Sequence, residues 1–219
     1  MSTASTMSCT LLSVTLMWTA ENDIALAECS HKPNALEECK WRQHAILTEL
    51  ASWCREDLGS RANRTKILAL IPICVHQRDV TSQLVTLFKQ KKIEDANLFE
   101  WTSQARSYWR ADASDDTSKD GACIISIADV DLNYSYEYLG NTARLVITPL
   151  TVRCYLTLAQ AVSMFFGGAP QGPAGTGKTE TVKDLACMIA ITCYVFNCSD
   201  QMDFQGTANI FRGLASSGT

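Results

Sequence analysis

The sequence has no C-x-x-C pair, few histidines and no apolar run long enough to cross a bilayer. Its ten cysteines are scattered singly between Cys9 and Cys198, so no zinc-type ligand spacing is present. Several fall at apolar positions, where a free thiol acts as a small hydrophobe. This usage points to a reduced, intracellular compartment. The three histidines, His31, His44 and His76, form no metal cluster. Positive charge is not in excess either: 19 Lys and Arg face 23 Asp and Glu, for a net charge of −4. That argues against an electrostatic nucleic-acid surface. The short basic run from Lys89 to Lys92 reads as a solvated helix end. No Lys or Arg precedes Lys32, so the apolar stretch from Met7 to Trp18 lacks the positive leader of a secretory signal. Neither a nucleic acid nor a membrane is expected as a partner.

What is present is a phosphate-binding pattern. Gly172-Pro173-Ala174-Gly175-Thr176-Gly177-Lys178-Thr179 matches G-x-x-x-x-G-K-[ST] at every fixed position. The residue types are those the chemistry needs. Glycines let the backbone turn with positive φ and approach a ligand closely. The loop N–H groups then form a concave anion site, reinforced by the positive end of the following helix. Lys178 is placed to meet β- and γ-phosphate oxygens, and the Thr179 hydroxyl to hold Mg²⁺. A Gly/Pro surface turn ending in Lys-Thr would read the same. The helical composition of Thr179 to Leu185 is the context that favours a nucleotide loop.

Periodicity organises the rest. Leu36, Ile46, Leu47, Leu50, Trp53, Cys54 and Leu58 predict an amphipathic helix over 35–58 that stops at Gly59. Residues 64–92 predict a second helix that Pro72 should kink or break. Leu98, Phe99, Trp101, Tyr108 and Trp109 predict a packed helix over 98–109, and residues 111–121 a polar surface turn. Strands are expected at Cys123–Asp129, at Asn133–Tyr138 with its tyrosines on one face, at Leu145–Ile147, and, buried, at Tyr194–Phe196. Thr157 could cap a helix running to Phe165, a helix should follow the loop to about Ile191, and another should begin at Asn209. The composition changes near 140–150, where helices and hairpins give way to an α/β pattern.

The residues from 145 onward resemble the first AAA+ module of dynein heavy chains. The likeness is carried by Leu145-Val146-Ile147-Thr148-Pro149-Leu150-Thr151, by Cys154 to Ala161, by Gly167-Gly168-Ala169-Pro170 leading into the loop, and by Glu180 to Asp184 after it. Phe196-Asn197-Cys198-Ser199-Asp200-Gln201-Met202-Asp203-Phe204 resembles the second strand and its following loop, in wording closer to axonemal than to cytoplasmic heavy chains. Upstream, Leu16-Met17-Trp18-Thr19, Val75 to Val80, Phe99-Glu100-Trp101 and Glu137-Tyr138-Leu139-Gly140 resemble the end of the dynein linker. Three residues depart from the family pattern: Val152, where Asp is usual, Gln171 and Ala186. None removes a phosphate-binding group.

The resemblance implies an α/β fold: a mainly helical linker portion with a small β hairpin region over 1–144, then the start of a P-loop AAA+ module over 145–219. It implies ATP and Mg²⁺ as cofactors, with Gly172 to Gly177 cradling phosphates, Lys178 on the β/γ oxygens, Thr179 on Mg²⁺ and Leu150 against adenine. It implies a microtubule motor of the cytoskeleton, in the axoneme of a cilium or flagellum. Microtubules and the intermediate and light chains would be partners through other parts of the heavy chain. Hydrolysis further needs a Walker B acidic pair, expected beyond Ser217-Gly218. Asp200 follows an apolar strand but matches the loop after the second strand, so it is not read as that acid. The alternative is a short non-catalytic product that binds nucleotide weakly or acts through linker contacts only. A small P-loop kinase is a weaker alternative, because it needs no linker-like half.

Overall fold

The computed structural model describes residues 5–29, 31–56, 59–90, 98–111, 121–140 and 144–217. Helix α1 spans Ser5–Glu28, α2 Ala35–Trp53, α3 Arg61–Lys89 and the single-turn α4 Phe99–Thr102. Strands β1 (Arg106–Arg110), β2 (Ala122–Ile127) and β3 (Val130–Asn133) form an antiparallel meander in the order β1-β2-β3. Helices α5 (Pro149–Ser163), α6 (Lys178–Met188) and α7 (Phe204–Ser217) complete the chain. This mixed fold, helical first and then the start of an α/β module, is the expected class.

The helical portion is held by an apolar cluster with a polar thread. Trp18, Leu36, Leu84 and Trp101 are each no more than 3% exposed. The Trp18 and Trp101 rings meet edge to face at 5.0 Å. Their polar tips are satisfied: Trp101 Nε1 donates to Asp23 Oδ1 at 2.8 Å, and Trp18 Nε1 to Thr81 Oγ1 at 3.2 Å. Thr81 Oγ1 in turn lies 3.1 Å from Asn22 Oδ1. In the sheet, β2 is buried from Cys123 to Ile127 without alternation, so both its faces are covered. Its register pairs Ser107 with Ile125 and Ile125 with Leu132. Ser107 joins the sheet to α1 through Thr15 and Thr19. Tyr155 and Ala159 of α5, Leu185 of α6 and Ile189 just past its end pack with Cys123, Ile125 and Ile127.

Several expectations are corrected. Pro72 does not break α3, which runs unbroken from Arg61 to Lys89. Proline removes the N–H that would meet the Leu68 carbonyl, and Leu68 is 55% exposed, so water can replace that bond. Tyr108 and Trp109 lie on β1 rather than on a helix through 98–109, which stops after one turn at Thr102. Here cross-strand pairing with Cys123 and Ile124 overrides local helical spacing. Asn133–Tyr138 is not a strand beyond Asn133. The chain leaves the sheet, and Ser135 and Glu137 donate to the carbonyls of Ile189 and Ala190 at the end of α6. Tyr136 and Tyr138 are more than half exposed, while Tyr134 packs on the core and meets the Tyr136 ring edge to face at 4.9 Å.

Leu145–Ile147 and Tyr194–Phe196 are likewise unpaired segments, not strands. Tyr194, Val195 and Phe196 are 55, 45 and 50% exposed, against the expected burial. A strand needs at least one neighbour to pair with, and the described residues supply none there. Helix α5 begins at Pro149, well before Thr157, because Thr148 caps it in a reciprocal box with Thr151 and Pro149 occupies the first turn. Helix α7 begins at Phe204, ahead of Asn209, where Asp203 Oδ1 accepts from Gly206 N at 2.7 Å. Residues 91–92, most of the polar turn at 111–121, and residue 58 lie outside the described residues.

Candidate nucleotide loop

The loop is built by three local devices. Gly175 and Gly177 both adopt φ of 78°, in the left-handed region. A Cβ at either would meet nothing within 4 Å, so backbone conformation, not space, calls for glycine there. Gly177 is then the N-cap of α6 and, having no side chain, leaves the first-turn N–H groups uncapped toward the loop. Thr181 N and Oγ1 both donate to the Gly177 carbonyl at 2.9 Å, which locks the start of the helix.

Lys178 is the first residue of α6, and its ammonium folds back over the loop. It donates to the carbonyls of Gly172 at 2.9 Å and Pro173 at 2.5 Å, and reaches Thr176 Oγ1 at 3.5 Å. The Thr176 hydroxyl also donates to the Pro173 carbonyl at 2.9 Å. Gly172, Pro173, Thr176 and Lys178 are thus brought together as one hydrogen-bonded ring of loop and cation. Thr179 follows on α6 with its side chain exposed and takes no part in that web among the described residues. Ala174 is exposed at the loop tip. Leu150, in the first turn of α5, is 70% exposed and belongs to a different element. The cationic Lys178, the uncapped helix end and the free Thr179 hydroxyl suit a polyphosphate with a hydrated Mg²⁺.

The helices that flank the loop end alike. In α5 the Phe166 N–H reaches the Ala161 carbonyl at 2.7 Å and Phe165 has φ of 58°. In α6 the Ile191 N–H reaches the Ala186 carbonyl at 2.9 Å and Ala190 has φ of 55°. Both are Schellman closures with a non-glycine residue at the left-handed position.

Sequence reasoning missed a buried charge network behind the loop. Asp184, on the inner face of α6, has a side chain 5% exposed, and Arg144 beside it is 8% exposed. Arg144 Nε lies 3.3 Å from Asp184 Oδ1, and its terminal nitrogen 3.5 Å from Oδ2. Leu145 N–H donates to Oδ1 at 3.3 Å, and the Tyr155 hydroxyl donates to Oδ2 at 2.9 Å. Burial pushes the Tyr155 phenol far above its usual range, and the neighbouring Asp184 charge raises it further, so it stays a donor. The signal was available: Thr181, Asp184 and Leu185 are spaced as one helical stripe, with a charge among its buried residues. At the end of α6, Glu137 accepts from Thr192 N at 2.7 Å and from its hydroxyl, and these bonds hold its carboxyl below the usual range.

Residues 134–219 match the protein family described as the hydrolytic ATP binding site of the dynein motor region. Over 209 residues, 95% of this chain, the sequence is 46% identical to the flagellar outer arm dynein gamma chain of Chlamydomonas reinhardtii. The chain is homologous to axonemal dynein heavy chains. Identity is also 46% to dynein axonemal heavy chain 8 of Homo sapiens and 44% to the ciliary dynein beta chain of Heliocidaris crassispina. The chain spans about 4% of the length of each of these relatives. The dynein family match takes in the nucleotide loop, α5, α6 and the whole Arg144–Tyr155–Asp184 network. No helix among the described residues is long and apolar enough to cross a membrane.

Proposed function

We propose that these residues are the nucleotide-loop part of an axonemal dynein-type heavy chain, an ATP-driven microtubule motor of cilia and flagella. Residues 1–144 form the end of its linker, and residues 145–219 begin its first ATPase module. The observation that carries this reading is the ring of Gly172, Pro173, Thr176 and Lys178 at the uncapped start of α6. In it the ammonium rests on neutral carbonyls, which triphosphate oxygens would replace with a stronger, charged partner. The residues from Gly172 to Gly177 then cradle the phosphates through backbone N–H groups, Lys178 meets the β/γ oxygens and Thr179 ligates Mg²⁺. Leu150, exposed at the start of α5, offers an apolar contact to adenine.

These residues supply the phosphate-binding part of the site, and no catalytic acid is assigned among them. Of the carboxylates nearest the loop in sequence, Glu180 pairs with Lys183 at 2.8 Å and Asp184 is buried in its own network. Phe165, Phe166, Phe196, Phe204 and Phe211 are each at least half exposed, so the module presents an apolar surface that other parts of the heavy chain would cover. Microtubules and the intermediate and light chains then engage the heavy chain elsewhere.

The test is binding of MgATPγS to the intact heavy chain, with and without Lys178→Ala. A charge-assisted contact contributes about 1.5–3 kcal/mol, so the variant should bind about 10- to 150-fold more weakly. Equal affinity of the two proteins would sink the assignment.

A further inference from the structure

We infer that Asp184, gripped by Arg144 and Tyr155, is the positioning residue that ties the nucleotide loop to the segment joining it to the helical portion. The inference rests on the reading of 172–179 as a nucleotide loop. Its grounds are geometric. Helix α6 carries Lys178 and Thr179 at one end, and its eleven residues make a stiff rod about 16 Å long. Midway along, the Asp184 carboxylate takes bonds from two directions: Arg144 and the Leu145 N–H on one side, and the Tyr155 hydroxyl of α5 on the other. At the far end, Ser135 N and Glu137 N donate to Ile189 and Ala190 at 3.0 and 3.2 Å. Ser135 and Glu137 therefore hold α6 at its end, and Arg144 and Leu145 hold it at its middle; Ser135 lies two residues past β3 of the sheet that packs on α1. A shift of the loop on binding phosphates cannot be absorbed inside the rod. It must move Asp184 against Arg144, or carry Arg144 and Leu145 with it.

A carboxylate buried to this degree persists only with partners, and its partners come from the segment and from α5 rather than from the loop. A residue kept only for the stability of α6 would do as well with an apolar side chain at this position. The charge thus gives the contact direction: it fixes where α6 sits relative to Arg144, and so where Lys178 and Thr179 sit relative to the chain upstream.

Hydrogen exchange on the full heavy chain, with and without MgATPγS, tests this. In the wild type the nucleotide should slow exchange at 172–179 and, by about fivefold or more, at Arg144 and Leu145. In Asp184→Asn the slowing at 172–179 should remain and that at Arg144 and Leu145 should fall away. Tyr155→Phe keeps the packed ring and removes only one donor to Asp184, so it should weaken the slowing at Arg144 and Leu145 even if Asp184→Asn fails to fold. Equal slowing at Arg144 and Leu145 in wild type and Tyr155→Phe overturns the inference. So does slowing confined to 172–179 in the wild type, which leaves nucleotide binding intact. No slowing at 172–179 in the wild type removes the nucleotide reading, and this inference with it.

Discussion

Trp101 offers the sharpest test of how the helical portion is held. It is 1% exposed, meets Trp18 edge to face at 5.0 Å, and donates from Nε1 to Asp23 at 2.8 Å. Two terms can be separated. Trp101→Ala removes the whole ring and leaves a cavity between α1 and α3, a loss of about 3–5 kcal/mol by comparison with buried aromatic truncations. Trp101→Phe keeps most of the apolar contact and the edge-to-face geometry, and removes the hydrogen bond to a carboxylate. A bond to a charged group is worth about 1.5–3 kcal/mol. Asp23 is only half-buried and can turn to water, so the low end of that range, about 1.5 kcal/mol, is expected. Urea unfolding followed by far-UV circular dichroism measures both. The alanine variant should lose about 2 kcal/mol more than the phenylalanine variant. If Trp101→Ala costs less than about 1 kcal/mol, Trp101 does not anchor α4 on the helical core and the account of that core is wrong.

Two further outcomes follow from the same structure. Phe165 is 97% exposed yet sits at φ of 58°, so Phe165→Gly should stabilise the end of α5 by about 1 kcal/mol, read as a higher urea midpoint; a lower midpoint would mean the ring is packed in solution. Burial raises the thiols of Cys39, Cys74 and Cys123 from 9.0 to about 11. A thiol that ionises less readily in the folded chain favours folding below pH 9, and that advantage declines through the window from 9 to 11. Melting temperature should therefore fall between pH 8 and pH 10.5, and fall less in Cys74→Ala; an identical drop in both would assign the effect to other groups.

The proposed nucleotide loop was legible because phosphate binding would constrain residue types directly. Gly175 and Gly177 need positive φ, Lys178 must be a cation, and a helix must start at that point; each requirement leaves a letter in the sequence. The helices were legible for a similar reason, since an apolar stripe at helical spacing is local information: α2, α3 and α6 lie where the periodicity puts them, within a few residues. The start of α5 was written as plainly, in Thr148, Pro149 and Thr151, directly after the strand-like side chains of Leu145–Ile147.

What the tertiary structure alone decided concerns pairing. Whether Tyr108 and Trp109 form helix or strand depends on Cys123 and Ile124, which lie across the sheet. Whether 134–138 and 194–196 become strands depends on neighbours, and residues with strand-like side chains stay unpaired where no edge is offered to them. The Asp184 network has the same character: Arg144, Tyr155 and Asp184 are up to 40 residues apart and meet only because α5 and α6 pack together. A sequence states what each residue can do at short range, where a few dihedrals set the outcome. Contacts between distant segments depend on how the whole chain closes, and no single stretch carries that.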